Sequence, residues 1–159
     1  MGNIRFRGFF QHTLDDRKRL AIPSQFRQVI IHESQGRLVL TPGYDHEISI
    51  YAIKTWEDFE NRQLLSLSMD QAQARRYRRH FTSGIKEDEL DAQGRILIPD
   101  FLLAHAGIVK DVMVIGEIDY FTLWAPEQFE RIKRESETKY LEDAESIENL
   151  RRRHEGADR

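Results

Sequence analysis

Two short stretches place an aspartate and an arginine four residues apart across a turn. They are Leu14-Asp15-Asp16-Arg17-Lys18-Arg19-Leu20-Ala21-Ile22-Pro23 and Leu90-Asp91-Ala92-Gln93-Gly94-Arg95-Ile96-Leu97-Ile98-Pro99. A carboxylate that opens a turn accepts hydrogen bonds from the N–H groups ahead of it. The same carboxylate can orient a guanidinium, whose planar fork matches the O6 and N7 edge of guanine. For Asp15 and Arg19 both uses are open, plain neutralisation within a turn or presentation of Arg19 to a base. Arg17 and Lys18 on that turn, Arg7 on the approach to it and Arg27 in the segment after it are candidates for phosphate contacts. Around Arg95 stand Glu87, Asp88, Glu89, Asp91 and Asp100, and the next basic residue is Lys110. Asp91 and Arg95 therefore read as a structural pair first and a secondary DNA contact second.

A third basic cluster, Arg75, Arg76, Arg78 and Arg79, has three uses open to it: a solvated face, phosphate contact, or pairing with acidic residues of a second copy. The last is preferred, with Arg75 and Arg79 at a subunit interface. Catalysis is not expected. The six histidines lack a His-x-x-x-His spacing, and there is no cysteine, no Gly-x-Ser-x-Gly and no glycine-rich phosphate loop. Asp15 and Asp16 sit beside cations that lower carboxylate pKa values, which suits a general acid poorly. No metal, organic cofactor or small-molecule substrate is implied.

These residues need a scaffold, and 159 residues with 40% hydrophobic side chains supply about one domain. No apolar run approaches the ~18 residues of a membrane span, and none follows the N-terminus as in a signal peptide. A cytoplasmic protein without disulfides is expected. The net charge of −3 is unevenly spread. Residues 1–40 and 70–86 each carry +4, whereas 87–126 carry −6.

The two motifs are copies of one unit, offset by 76 residues. Each continues from Ile-Pro into a short helical pattern, then two apolar runs (Leu38-Val39-Leu40 and Ile48–Tyr51; Val112–Ile115 and Tyr120–Trp124). Pro-to-Gly spacing is 20 residues for Pro23–Gly43 and 17 for Pro99–Gly116, a slip of three. The pattern predicts strand, turn, strand, helix, strand, strand. The helices should bury Phe26, Val29 and Ile30, and Leu102, Leu103 and Ala106, with Gly107 as a C-cap. About fifty residues make a poor independent core, so the units should share strands. Residues 54–81 should form a helical connector, with Tyr77 and Phe81 toward the core. Residues 127–155 should form one long polar helix, fraying from Glu155.

Leu-Asp-x-x-x-Arg-x-x-Ile-Pro, twice in one chain, with Phe6-Arg7-Gly8 before it and Trp56 opening the connector, resembles the MraZ family. Those proteins are built from two SpoVT/AbrB-like swapped-hairpin units. The resemblance implies an α+β, mainly β fold in which tandem units form a pseudo-dimeric β core, with a helical connector and a long C-terminal helix. Its divisions would be 9–56, 57–84, 85–128 and 129–159. It also implies a nucleoid-associated repressor of the division and cell-wall gene cluster, binding short G-rich direct repeats of double-stranded DNA as a ring-like homo-oligomer. The alternatives are an AbrB-like antitoxin and an oligomeric scaffold that does not touch DNA. One departure stands out. The second turn ends Gly94-Arg95 but the first Lys18-Arg19, and a left-handed lysine costs about 1–2 kcal/mol.

Overall fold

The computed structural model describes residues 5–157. Strand β1 (Phe9–Thr13) runs into the first turn and β2 (Arg19–Ala21) leaves it, followed by α1 (Ser24–Ser34), β3 (Arg37–Pro42) and β4 (Ile48–Ala52). Helix α2 (Ile53–Phe59) passes into a π-helical turn, Glu60–Leu64, and α3 (Ala72–Ser83) follows after a break. The second copy is β5 (Lys86–Glu89), β6 (Arg95–Leu97), α4 (Asp100–Ala106), β7 (Asp111–Gly116) and β8 (Phe121–Trp124). Helix α5 spans Pro126–Ala157. It forms a compact unit separate from the body that ends at Ala125.

The body is built on exchanged strands. Its six-stranded sheet has the order β1-β7-β8-β4-β3-β5, with every neighbour antiparallel. First-copy β1 thus pairs with second-copy β7 (Thr13 opposite Asp111), and second-copy β5 pairs with first-copy β3 (Glu89 opposite Arg37). Swapping the copies reverses the strand order onto itself, which is a pseudo-twofold axis. On that axis β2 and β6 form a separate ribbon, Leu20 opposite Ile96. Backbone bonds come in matching pairs: Ile22 N–H to Gly94 O and Ile98 N–H to Lys18 O, both 3.0 Å. The fold is α+β and mainly antiparallel β, as the sequence pattern and the resemblance imply.

Alternation explains the core. Leu20, Ile22, Ile96 and Ile98 are all buried beneath the ribbon, together with Leu14. Phe6, Phe26 and Phe121 meet with ring centroids 5.1–5.2 Å apart, and Phe10 closes on Phe26 at 5.3 Å. Phe26, Val29 and Ile30 are buried on α1, and Leu102, Leu103 and Ala106 on α4. Gly107 caps α4 at φ +64°. A smaller cluster of Val39, Ile53 and Trp56 holds the connector, where Trp56 stacks on Phe81 at 5.7 Å and 14°.

Four expectations need correction. The connector is not one helix, because Leu65–Gln71 interrupts it between the π-helical turn and α3. Tyr77 does not face the core: it is 47% exposed, and Phe81 alone makes the α3 stack on Trp56. Gly43 and Gly116 are not equivalent, since Gly116 is the last residue of β7, where β3 ends on Pro42. Two residues of the slip fall between the proline and the strand, and the third falls in the following turn. Helix α5 does not fray at Glu155 but continues to Ala157; the remainder of that expectation, Asp158 and Arg159, lies outside the described residues.

Candidate nucleic-acid interface

Each motif turn is built around its aspartate. Asp15 Oδ1 accepts the N–H groups of Arg17 and Arg19, both at 2.9 Å, and Oδ2 accepts Arg19 Nε at 2.7 Å. Asp91 repeats this with Gln93 N and Arg95 N, both at 2.9 Å, and Arg95 Nε at 3.0 Å. Three donors on one carboxylate favour its charged form. Both carboxyls are therefore held below their ordinary value of 3.8, chiefly by the N–H of Arg19 for Asp15 and of Arg95 for Asp91.

Pairing of β2 with β6 sets the two turns side by side, and their arginines behave differently there. Arg95 is spread over three partners. Besides Asp91, its Nη1 lies 3.8 Å from Asp15 Oδ2 and its Nη2 donates to Gln93 Oε1 at 3.1 Å. Arg19 has one recorded partner, Asp15, which leaves the terminal nitrogens of its fork without a side-chain partner among the described residues. Leu20 and Ile96 point inward, so Arg19, Ala21, Arg95 and Leu97 line the outer face of the ribbon. A two-stranded ribbon of this kind fits the major groove of B-DNA. Ala21 and the 50% exposed Leu97 belong to that face and were not singled out from sequence, although the period-2 alternation that buries Leu20 already places them there.

The other candidates fall in different places. Lys18 is left-handed at φ +60°, as Gly94 is at +74°, so the first turn keeps the shape of the second and carries the strain. The Lys18 ammonium pairs with Asp100, which therefore serves the first turn and not Arg95. Arg27 crosses to the second turn, where Nη1 donates to the Gln93 carbonyl at 3.4 Å. A Cβ on Gly94 would lie 2.3 Å from Arg27 Cδ and 2.4 Å from Nη1. The position equivalent to Arg27 on α4 is Leu103, and the turn opposite it bears Lys18 in place of glycine. Arg17 is exposed and makes no ion pair among the described residues. Arg7 is also exposed but stands at the far end of β1, roughly 20 Å of strand from the turn, so the fold does not bring it to the others. Arg75 bonds its own chain, donating to the carbonyls of Met69 at 2.7 Å and Asp70 at 3.0 Å. Arg79 is exposed, without an ion pair among the described residues. Among those residues no group of three or more His, Asp or Glu comes together to hold a metal ion, and no helix is long and apolar enough to cross a membrane.

The twofold motif has a counterpart in known proteins. A family model described as "MraZ protein, putative antitoxin-like" matches residues 5–80 and again 81–151. The chain belongs to the MraZ family. Similar relatives include proteins named transcriptional regulator MraZ from Caldanaerobacter subterraneus subsp. tengcongensis, 36% identical over 90% of this chain and 96% of the relative, and from Alkaliphilus metalliredigens, 37% identical over 91% and 98%. One from Moorella thermoacetica is 37% identical over 89% of this chain and 96% of its own. MraZ membership makes this chain a transcriptional regulator in class, and the names of its MraZ relatives denote regulators, not enzymes.

Proposed function

We propose that this MraZ-family chain is a DNA-binding repressor that reads duplex DNA with the outer face of the β2–β6 ribbon. The observation that carries it is Arg19: Asp15 orients its guanidinium at 2.7 Å on an outward face, next to Arg17, a cation with no ion pair among the described residues. Arg19 reads a guanine edge, Arg17 supplies phosphate attraction, and Asp15 orients without touching the DNA, since phosphate repels it. Lys18, already paired, adds less. Arg27 shapes the second turn, and on the same outer face Arg95, shared among Asp91, Asp15 and Gln93, braces the ribbon. Residues 9–56 and 85–128 act as the two units, 57–84 as connector and 129–159 as tail.

One small basic turn per chain binds weakly, so useful affinity requires several copies on several sites. The target in this reading is a set of short G-rich direct repeats before division and cell-wall genes, occupied in the cytoplasm by a ring-like homo-oligomer on the nucleoid. Arg75 and Arg79 face acidic residues of a neighbouring copy. Footprinting on the DNA upstream of the protein's own gene tests this, with affinity for one and four repeats compared at one ionic strength. Regularly spaced protection and an affinity that climbs steeply with repeat number support the reading. Absence of protection turns it toward the oligomeric scaffold.

A further inference from the structure

Helix α5 is 32 residues long, about 48 Å, and its outer half carries a row of exposed apolar residues. At 100° per residue Tyr140, Ala144, Ile147 and Leu150 fall within one third of the helix circumference, a face they share with Asp143 and Arg151. Tyr140 is 69% exposed, Ile147 51% and Leu150 54%. A solvated arm has no reason to gather such residues on one side. Its charges are also ordered along the axis. Glu142–Glu148 holds four carboxylates and no cation, and Arg151–Arg153 is a basic triplet. Arg152 turns back to Glu148 of its own helix at 3.3 Å, while Arg151 and Arg153 make no ion pair among the described residues.

We propose that α5 pairs antiparallel with the α5 of a second copy, the two helices crossing at Ile147. The charge order selects the direction. Parallel pairing in register sets Asp143 against Asp143 and Arg151 against Arg151 beside the seam, and like charges at an interface oppose association. Antiparallel pairing about Ile147 sets Asp143, 40° from Ile147 on the helix wheel, against Arg151 of the other copy, 40° to its other side, twice over. The apolar residues complement each other in the same register: Ile147 meets its own counterpart, and the small Ala144 lies opposite Leu150. The contact is isologous, so it joins two copies and closes. It is independent of the DNA reading, because no residue of the ribbon takes part. A pairing of so few turns is weak in isolation and gains from any other contact that holds the bodies together.

The chain has no cysteine, so single cysteines report cleanly. Under mild oxidation of the full chain, Ile147→Cys should form a disulfide-linked dimer. Tyr140→Cys should not, since antiparallel pairing separates it from its counterpart by fourteen residues of rise, roughly 21 Å. An equimolar mixture of Tyr140→Cys and His154→Cys should cross-link between the two. Light scattering across a concentration series provides the second measurement. Ile147→Asp with Leu150→Asp should raise the concentration needed for half-association about tenfold or more, with circular dichroism unchanged. Tyr140→Cys cross-linking to itself as readily as Ile147→Cys would mean a parallel pair and overturn the proposal. So would an Ile147→Cys that stays monomeric, whether its thiol is reactive (a bare helix) or protected (a face covered by something else), and so would an association curve that the double aspartate variant leaves in place.

Discussion

Glycine at position 94 answers two demands, and a substitution there separates them. Its φ of +74° lies where a Cβ costs about 1–2 kcal/mol, and Arg27 fills the space that the Cβ would take. Alanine therefore incurs the backbone cost and displaces Arg27 from the Gln93 carbonyl, a long bond on a partly exposed side chain worth roughly 0.5–1 kcal/mol. The sum is about 1.5–3 kcal/mol, or roughly 3–12 °C in Tm for a chain of this length. In an Arg27→Ala background only the backbone part remains, about 1–2 kcal/mol, so the double-mutant cycle should show coupling near the size of the Arg27 contribution. The pseudo-equivalent change should behave differently. Lys18→Gly relieves the same left-handed strain, loses an exposed pair with Asp100 worth about 0–1 kcal/mol, and adds freedom to the unfolded chain of about 0.5–1 kcal/mol, so it should be close to neutral. Urea unfolding at one fixed protein concentration measures all four variants, since association shifts apparent stability. A Gly94→Ala cost that is undiminished without Arg27, or a Lys18→Gly loss as large as that of Gly94→Ala, would refute the reasoning.

Arg19→Ala should stay folded and lose DNA binding, about 1–3 kcal/mol per engaged copy, whereas Arg95→Ala should melt or dissociate more easily yet bind while intact; anisotropy titrations beside thermal melts decide between a one-sided and a two-sided reader. Asp15 and Asp91 have folded pKa values below 3.8, so the stability they contribute is present above that value and lost as pH falls through the lower, folded ones. Stability measured below about pH 4 should therefore fall less steeply in Asp15→Asn and Asp91→Asn than in the parent. Phe81→Ala should speed amide exchange across α3 by removing its stack on Trp56, with β-sheet amides unchanged; uniform acceleration would make the connector part of one cooperative unit. Arg75→Glu with Arg79→Glu should lower the mass seen by light scattering, and an unaltered mass would return those arginines to a solvated face.

Much of the body is legible in the sequence because short-range rules govern it. Alternation around Leu20 and Ile96 places their neighbours on opposite faces, and helical spacing picks out Phe26, Val29 and Ile30. Side-chain reach across the fold is not legible in this way. Nothing local to Arg27 says that it will lie on Gly94, and the gap of 66 residues between Arg27 and Gln93 closes only when the copies exchange strands. Lys18 and Asp100 meet for the same reason, across 82 residues. Arg75 shows the same limit: nothing in a run of arginines says that one of them will donate to carbonyls in the loop before its own helix. For the candidate site, the turns with Asp15, Arg19, Asp91 and Arg95 could be read from motif spacing. The unequal sharing of carboxylates between Arg19 and Arg95 needed three dimensions.

The exchange of strands also dictates an order of events at birth. β1 finds its partner β7 only after about a hundred further residues have been made, since Phe9 pairs with Ile115. At roughly 5–20 residues per second, that is some 5–20 seconds in which the first half of the chain is on the ribosome with β1 unmated. Nearby nascent copies then offer the same strand that the chain's own second half will later supply. A product cut short in the connector has β1 and β2 but never makes β7 or β6, so its surviving outlet is the sheet of another molecule. Truncated chains of this protein should therefore not be inert fragments but competitors, taking the place of the strand that a full-length neighbour was about to close with its own.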